Sequence, residues 1–451
     1  MVIEATPRNA SHLWRRAAFG ASSERIDQTV RDGIEATVDA MFDERSAELA
    51  GAPKRDVGLN GFETPAINLW FLHLAATSPT PAIERLMWFW HGHFATNHDK
   101  FEGPEALHAQ LLTFRRHGLG RLDDLLKLVH RDPAMIAWLD LHLSVVGAPN
   151  ENYARELMEL FSLGVDGGYT QRDVVEAGRA FTGSTLVGEH PFIAEFNPAL
   201  HDDGTKTVLG HTGRFDGDAV VDLIVQRPEC HRFIASRFWA RYAGTTPTPE
   251  VLDDIAAALG ERLVIKDLVV ALFTHPAFYA DDVQNGLIAQ PVETTANALR
   301  GFRAELVDIR TTSMFEAEER EDQYRFPFWV PLEMLEEMGQ LVGHPPNVGG
   351  WPHNEPWIDA TSATGRLNAG IRFAQAIVES DSAVVTEIRA TAERGPRPAA
   401  AAILSAFGHT EWTTVTEDAV VAALTTPTDE ETDPLMTAIT AAFTSPEVTL
   451  S

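Results

Sequence analysis

Cysteine is almost absent: Cys230 is the only one in 451 residues. An intrachain disulfide is therefore excluded, and so is a cysteine-built zinc site or iron–sulfur cluster. Lysine is scarce, limited to Lys54, Lys100, Lys127, Lys206 and Lys266. Lys plus Arg totals 36 against 65 Asp plus Glu, a formal charge of −29. Nucleic acid and anionic membrane surfaces both select basic footprints, so neither is an expected partner. No run of about 18 apolar residues occurs, so no transmembrane helix is expected. The opening MVIEATPRNASHLWRR lacks the basic start and apolar stretch of a signal peptide, so the expected location is cytoplasmic. A P-loop, a GxGxxG fingerprint, a GxSxG elbow and an HExxH helix are also missing. Cys230 and His231 are adjacent, and adjacent residues on a helix do not face each other, which argues against a Cys–His nucleophile.

What is present suits a globular chain with a sizeable core: 44% hydrophobic and 22% charged residues. The length allows about three domains or one large helical one. Apolar residues recur at helical spacing through most of the chain, as in Ile26, Val30, Ile34, Val38 and Met41 across 23–42. Ser11 reads as the N-cap of a helix ending near Ala18. Residues 43–63 are turn-rich, and Thr170 with Asp173 forms a capping-box pattern. Residues 185–213 are poor in helix signals, and Asp203-Gly204 is the expected turn of a short hairpin. After Arg397 the chain has no Lys or Arg, carries many carboxylates, and has Ala-rich helical runs. The expected fold is all-α. A large multi-helix domain spans 1–385 with a small β-hairpin or loop insertion at about 185–213, and an acidic, Ala-rich helical tail spans 386–451.

Four segments could carry chemistry. WFWHGHFATNH holds His91 and His93. Imidazole is a common metal ligand, but an HxH pair on a helix sits about 200° apart. One His packed among Trp88, Phe89 and Trp90, with the other bonded to backbone, explains the segment as well. ARELMEL places Glu156 and Glu159 on one helix face, suited to a cation or to split acid and base roles. Pairing of Arg155 with Glu159 is the plainer reading. His201-Asp202-Asp203-Gly204 offers an imidazole and two carboxylates, or simply a turn. PPNVGGWP, 345–352, permits close backbone approach at Gly349-Gly350, either to a ligand or to a neighbouring helix.

FWHGHFATN, DPAMIAWLD, GAPNENYARELMELFSLGVDGGYTQRDVVEAGRAFTG, FNPALHDDGTKTVLG and PPNVGGWP occur in that order, preceded by HLWRRAAFG. Together they resemble the bacterial domain-of-unknown-function 1800 family, over about residues 8–380. The resemblance adds weight to His91, His93, Asn152, Arg155, Glu156, Glu159, His201, Asp202, Asp203 and Gly204. It implies no established activity. Relatives often look exported, unlike this chain. Two segments depart from the family pattern: LDLHLSVVG is more apolar, and Ser184 stands where a Trp is usual.

The leading expectation is a metal-dependent enzyme, a hydrolase, acting on a small molecule or carbohydrate. His91, His93, Glu156 and His201 would hold a divalent ion; mixed nitrogen and oxygen ligands suit zinc, manganese or iron. Glu159, Asp202 and Arg155 would be catalytic. One alternative is a binding or assembly protein, its motifs a polar network fixing helix packing and its acidic tail meeting a protein partner. Another is a metal-free glycoside hydrolase with Glu156 as acid and Asp202 or Asp203 as base or nucleophile.

Overall fold

The structure is a computed structural model that describes residues 3–43, 63–100, 104–188, 192–284, 286–308, 325–380, 382–426 and 433–450. It is all-α, with two small antiparallel hairpins. Helix starts follow local chemistry. Thr6, not Ser11, caps the first helix, Pro7–Ala17, with its hydroxyl accepting from Asn9 N–H. Pro7 at the first helical turn explains the earlier start, since its missing N–H costs nothing there. Ser11 lies inside that helix and donates to the Gly408 carbonyl. The periodic stretch 23–42 is two helices, Ser23–Asp32 and Ile34–Met41, broken where Gly33 takes φ +90°. Thr170 and Asp173 form the expected capping box of the Gln171–Ala180 helix.

The Pro81–His93 helix runs through the centre, with every residue except Gly92 buried. It packs on the helices Glu63–Thr77 and Pro104–His117 and, through Phe89 against Phe238 at 4.0 Å, on Pro228–Tyr242. Its all-round apolar character is that of a core helix rather than a surface stripe. Trp88 and Trp90 are among the largest fully buried side chains, and burial of each such aromatic contributes about 2–3 kcal/mol. In the tail, Phe407 packs on Phe302 and Phe443 on Phe373, at 5.1 and 6.0 Å. Residues 44–62 and 427–432, most of the turn-rich stretch and of the acidic loop, lie outside the described residues.

The insertion holds two hairpins rather than one. Strand β1 (Ser184–Val187) pairs with β2 (Ile193–Phe196), and β3 (Lys206–Val208) pairs with β4 (His211–Gly213). The second turns at Leu209-Gly210, both with positive φ, not at Asp203-Gly204. A two-residue turn of this kind needs left-handed backbone at both positions, and Gly204 does not adopt it. Instead Gly204 N–H donates to Asp202 Oδ1 in a local loop.

Candidate functional site

Two of the singled-out motifs meet in space. The loop after residue 342 folds over the end of the Pro81–His93 helix. Gly343 N–H donates to His91 Nε2 at 3.0 Å, and the Asn68 side chain binds Val342 N–H and carbonyl. Gly350 sits at φ +83° so close to the helix that an added Cβ would stand 2.1 Å from the Gly92 carbonyl oxygen. Only glycine fits that approach. The contact lays Trp351 on Trp88 at 4.7 Å. Beyond it, the Pro352 carbonyl accepts from Gln290 Nε2 and Trp357 Nε1, and Asn354 ties the loop to Gly244 and Ile288.

Beneath this loop is a cavity of about 20 Å³, lined by Trp88, His93, Arg237, Arg241, Trp351 and His353 together with Phe89, Gly92 and Gln290. That is room for water or a compact ion, not for a whole substrate. Its charge is uneven. Glu293 forms ion pairs with Arg85 and Arg241 at 2.7 and 2.5 Å, so one buried carboxylate serves two guanidinium groups. Burial pushes the Glu293 carboxyl up, but Arg241 and Arg85 more than offset it and keep it low. Arg241 also donates to Gln290 Oε1, which Gln340 shares. Arg241 Nη1 is left with no partner among the described residues. Arg237 has no carboxylate partner among them, and burial lowers its pKa.

The histidines are neutral. Burial holds His93 down to about 3, helped by Arg237, and holds His353 to about 3, helped by Arg241 and then Arg237. His93 Nε2 lies 2.9 Å from the Phe161 carbonyl, so Nε2 carries the proton and Nδ1 is a bare acceptor without a partner among the described residues. His91 is the reverse. Its Nε2 accepts, so its unpartnered Nδ1 carries the proton, and burial also lowers it to about 3.

The remaining predicted residues are placed elsewhere. The Asn152–Glu156 helix continues into a wider, π-type turn at Leu157–Ser162, which presents the Phe161 carbonyl to His93. Glu156 and Glu159 are half-buried on it; burial and then Glu159 raise the Glu156 pKa. Arg155 pairs with Glu151 at 3.1 Å and with Gln171, not with Glu159. Asn152 and Asn150 fasten this segment to the carbonyls of Leu139 and Asp140. Asp202 accepts two bonds from Arg179, whose guanidinium holds its carboxyl below the usual range. His201 Nδ1 donates to the Thr182 carbonyl. Asp203 is exposed, 3.6 Å from Arg214. The expected set of His91, His93, Glu156 and His201 therefore does not converge. Among the described residues no three His, Cys, Asp or Glu side chains gather around one point. The reason is helical: His91 and His93 project to opposite sides, one to Gly343 and one to Phe161.

A family model described as a protein of unknown function (DUF1800) matches residues 12–450. The chain belongs to this family. The match extends past residue 380 and takes in the acidic tail. No curated protein and no solved structure matches. No described helix is long and apolar enough to cross a membrane.

In this DUF1800 chain, sequence reasoning missed Arg237, Arg241, Gln290, Glu293 and His353. One signal existed for the arginines. They stand four apart in SRFWARY, so they share one face of a helix whose other members are aromatic. Nothing local marks Glu293 as their counter-ion.

Proposed function

We propose that this family member binds a compact anion, or the carboxylate, sulfate or phosphate end of a small molecule, in the cavity under the 343–353 loop. The observation that carries it is Arg237, a lining guanidinium with no carboxylate partner among the described residues, beside Arg241, whose carboxylate partner Glu293 is shared with Arg85. Arg237 is half-buried, so its guanidinium is partly stripped of water, and an anion there would restore some of that lost solvation. Guanidinium groups favour such ligands because their fork matches planar or tetrahedral oxyanions. His93, held neutral, adds no charge to compete with the arginines. This arrangement suits an enzyme acting next to a carboxylate or phosphate as well as a carrier. A cytoplasmic location belongs to the same proposal.

Isothermal titration with phosphate, sulfate and acetate, at low ionic strength, tests it. At least one should bind, and Arg237→Gln should weaken it about tenfold or more, the worth of one charge-assisted bond. Absence of binding to the parent, or equal binding by the variant, would refute the reading.

The metal-dependent hydrolase with zinc, manganese or iron is a second proposal. It is favoured by one observation: His93 and His353, both neutral, line the same cavity, and neither Nδ1 has a partner among the described residues. Two imidazoles fall short of the three protein ligands usual at a catalytic zinc, and the adjacent guanidinium groups repel a cation. Elemental analysis of untagged protein beside His93→Ala and His353→Ala decides it. Near-stoichiometric metal lost in both variants supports the hydrolase; none after adding the ions back removes it.

A further inference from the structure

The cavity under the 343–353 loop has a mouth. Gly92, Arg237 and His353 are half-buried, while the other lining residues are buried. A ligand entering from solvent therefore meets the Arg237 guanidinium and the His353 ring first. No described lining residue carries a carboxylate.

His353 is the lining ring whose hydrogen bonding is unused. His91 and His93 each bond backbone, at Gly343 and at Phe161. Neither nitrogen of His353 has a partner among the described residues. Its Nδ1 is buried, so Nε2 is the polar atom that the ring presents. Burial, then Arg241 and Arg237, hold the ring down to about 3, so it is neutral at physiological pH. Both guanidinium groups are thus close enough to act on it. A half-buried polar atom has given up part of its hydration, and a ligand group there would replace it.

The imidazole selects that group. A neutral ring offers one donor and one acceptor, and nothing bonded to Nδ1 decides which of the two Nε2 is. A hydroxyl both donates and accepts, so it suits either tautomer. A ligand ammonium would be repelled by Arg237 and Arg241. The cavity sets the spacing. About 20 Å³ takes a carboxylate and little more, so the hydroxyl belongs on the adjacent carbon, at the mouth. Resting on the anion reading above, we infer that the ligand is a short 2-hydroxycarboxylate, its carboxylate on Arg237 and its hydroxyl on His353 Nε2. His353 is then the residue that tells such an acid from a plain carboxylate.

Glycolate and acetate differ by that one hydroxyl. Isothermal titration of the intact chain with each, near neutral pH and at low ionic strength, tests the inference. Glycolate should bind about three- to tenfold more tightly, the worth of one hydrogen bond. 3-Hydroxypropionate, with its hydroxyl one carbon further out, should lose that gain. His353→Phe keeps a flat ring without nitrogen and should bring the glycolate-to-acetate ratio close to one. His353→Ala reads the same ratio if the phenylalanine variant does not fold. Glycolate no tighter than acetate, 3-hydroxypropionate as tight as glycolate, or a ratio that the His353 variants leave intact would overturn the inference and spare the anion reading. Binding of phosphate or sulfate with neither acid bound would do the same. No binding by any of these anions, or binding that Arg237→Gln does not weaken, would refute the anion reading and this inference with it.

Discussion

Gly350→Ala should be among the most damaging single-methyl changes in the protein. Two costs combine. At φ +83° a Cβ meets its own backbone, worth about 1–2 kcal/mol for a non-glycine residue. The same Cβ would stand 2.1 Å from the Gly92 carbonyl oxygen, and no flexible side chain is there to yield. Backbone must move instead, and overpacking of this kind costs about 1–3 kcal/mol. The sum is about 2–5 kcal/mol. Gly339→Ala isolates the first cost, because Gly339 has φ +77° yet no atom within 4 Å of its Cβ position. That control should lose only about 1–2 kcal/mol. Urea unfolding followed by far-UV circular dichroism measures both, provided the m-values agree. If Gly350→Ala is no worse than Gly339→Ala, the loop does not rest on the Pro81–His93 helix as described. Gly350→Ala should also weaken anion binding, since Trp351 and His353 follow directly in the chain.

Stability should fall as pH drops below 6.5. His91, His93 and His353 are held near 3 in the folded chain, and His12 and His409 also well below 6.5. Unfolded chains therefore bind more protons between pH 6.5 and 3, so the stability present above 6.5 is lost as pH falls, at up to about 1.4 kcal/mol per histidine per pH unit. Urea midpoints that are flat from pH 7 to 5 would contradict the burial of these rings. Glu293→Gln should cost about 3–5 kcal/mol by leaving Arg85 and Arg241 without their shared counter-ion. A thermal melt within a degree of the parent would refute that. Asp202→Asn should cost at most about 1 kcal/mol, since the Arg179 pair is partly exposed. It should speed amide exchange in 202–213, and unchanged exchange there would show that the pair does not tether the hairpin.

The helical architecture was legible because buried helix faces repeat every 3.6 residues, and capping residues mark many ends. The failures have local causes. Gly33 split one periodic stretch, and Pro7 with Thr6 moved the first helix start by five residues, from Ser11 to Thr6. In the insertion, Leu209-Gly210 makes the turn although Asp203-Gly204 is the better turn dipeptide, because Arg179 already holds Asp202. The site was half legible. The HxH segment and the GGWP loop do meet, through Gly92 and Gly350. What they build was not readable, because each histidine's role is set by a partner remote in sequence: Gly343 for His91, Phe161 for His93. Chelation is a property of two nitrogens converging, and one-dimensional spacing on a helix opposed it from the start.

The net charge of −29 and a cationic cavity are compatible, because net charge describes the surface and the long-range field, while the cavity charge is local. An anion approaching this chain is repelled until it comes within about a Debye length, roughly 10 Å at 0.1 M salt, of Arg237 and Arg241. The two effects respond oppositely to ionic strength. Added salt screens the long-range repulsion and should raise the association rate. It screens the buried contact much less, so the dissociation rate should change little. Stopped-flow mixing with whichever simple anion binds, across a salt series of sodium chloride and with chloride's own competition measured separately, reads both rates. An anion held at an exposed basic surface patch would show the reverse, with association slowing as salt rises. That outcome would place the ligand outside the cavity under the 343–353 loop, and with it would fall the assignment of Arg237 as its partner.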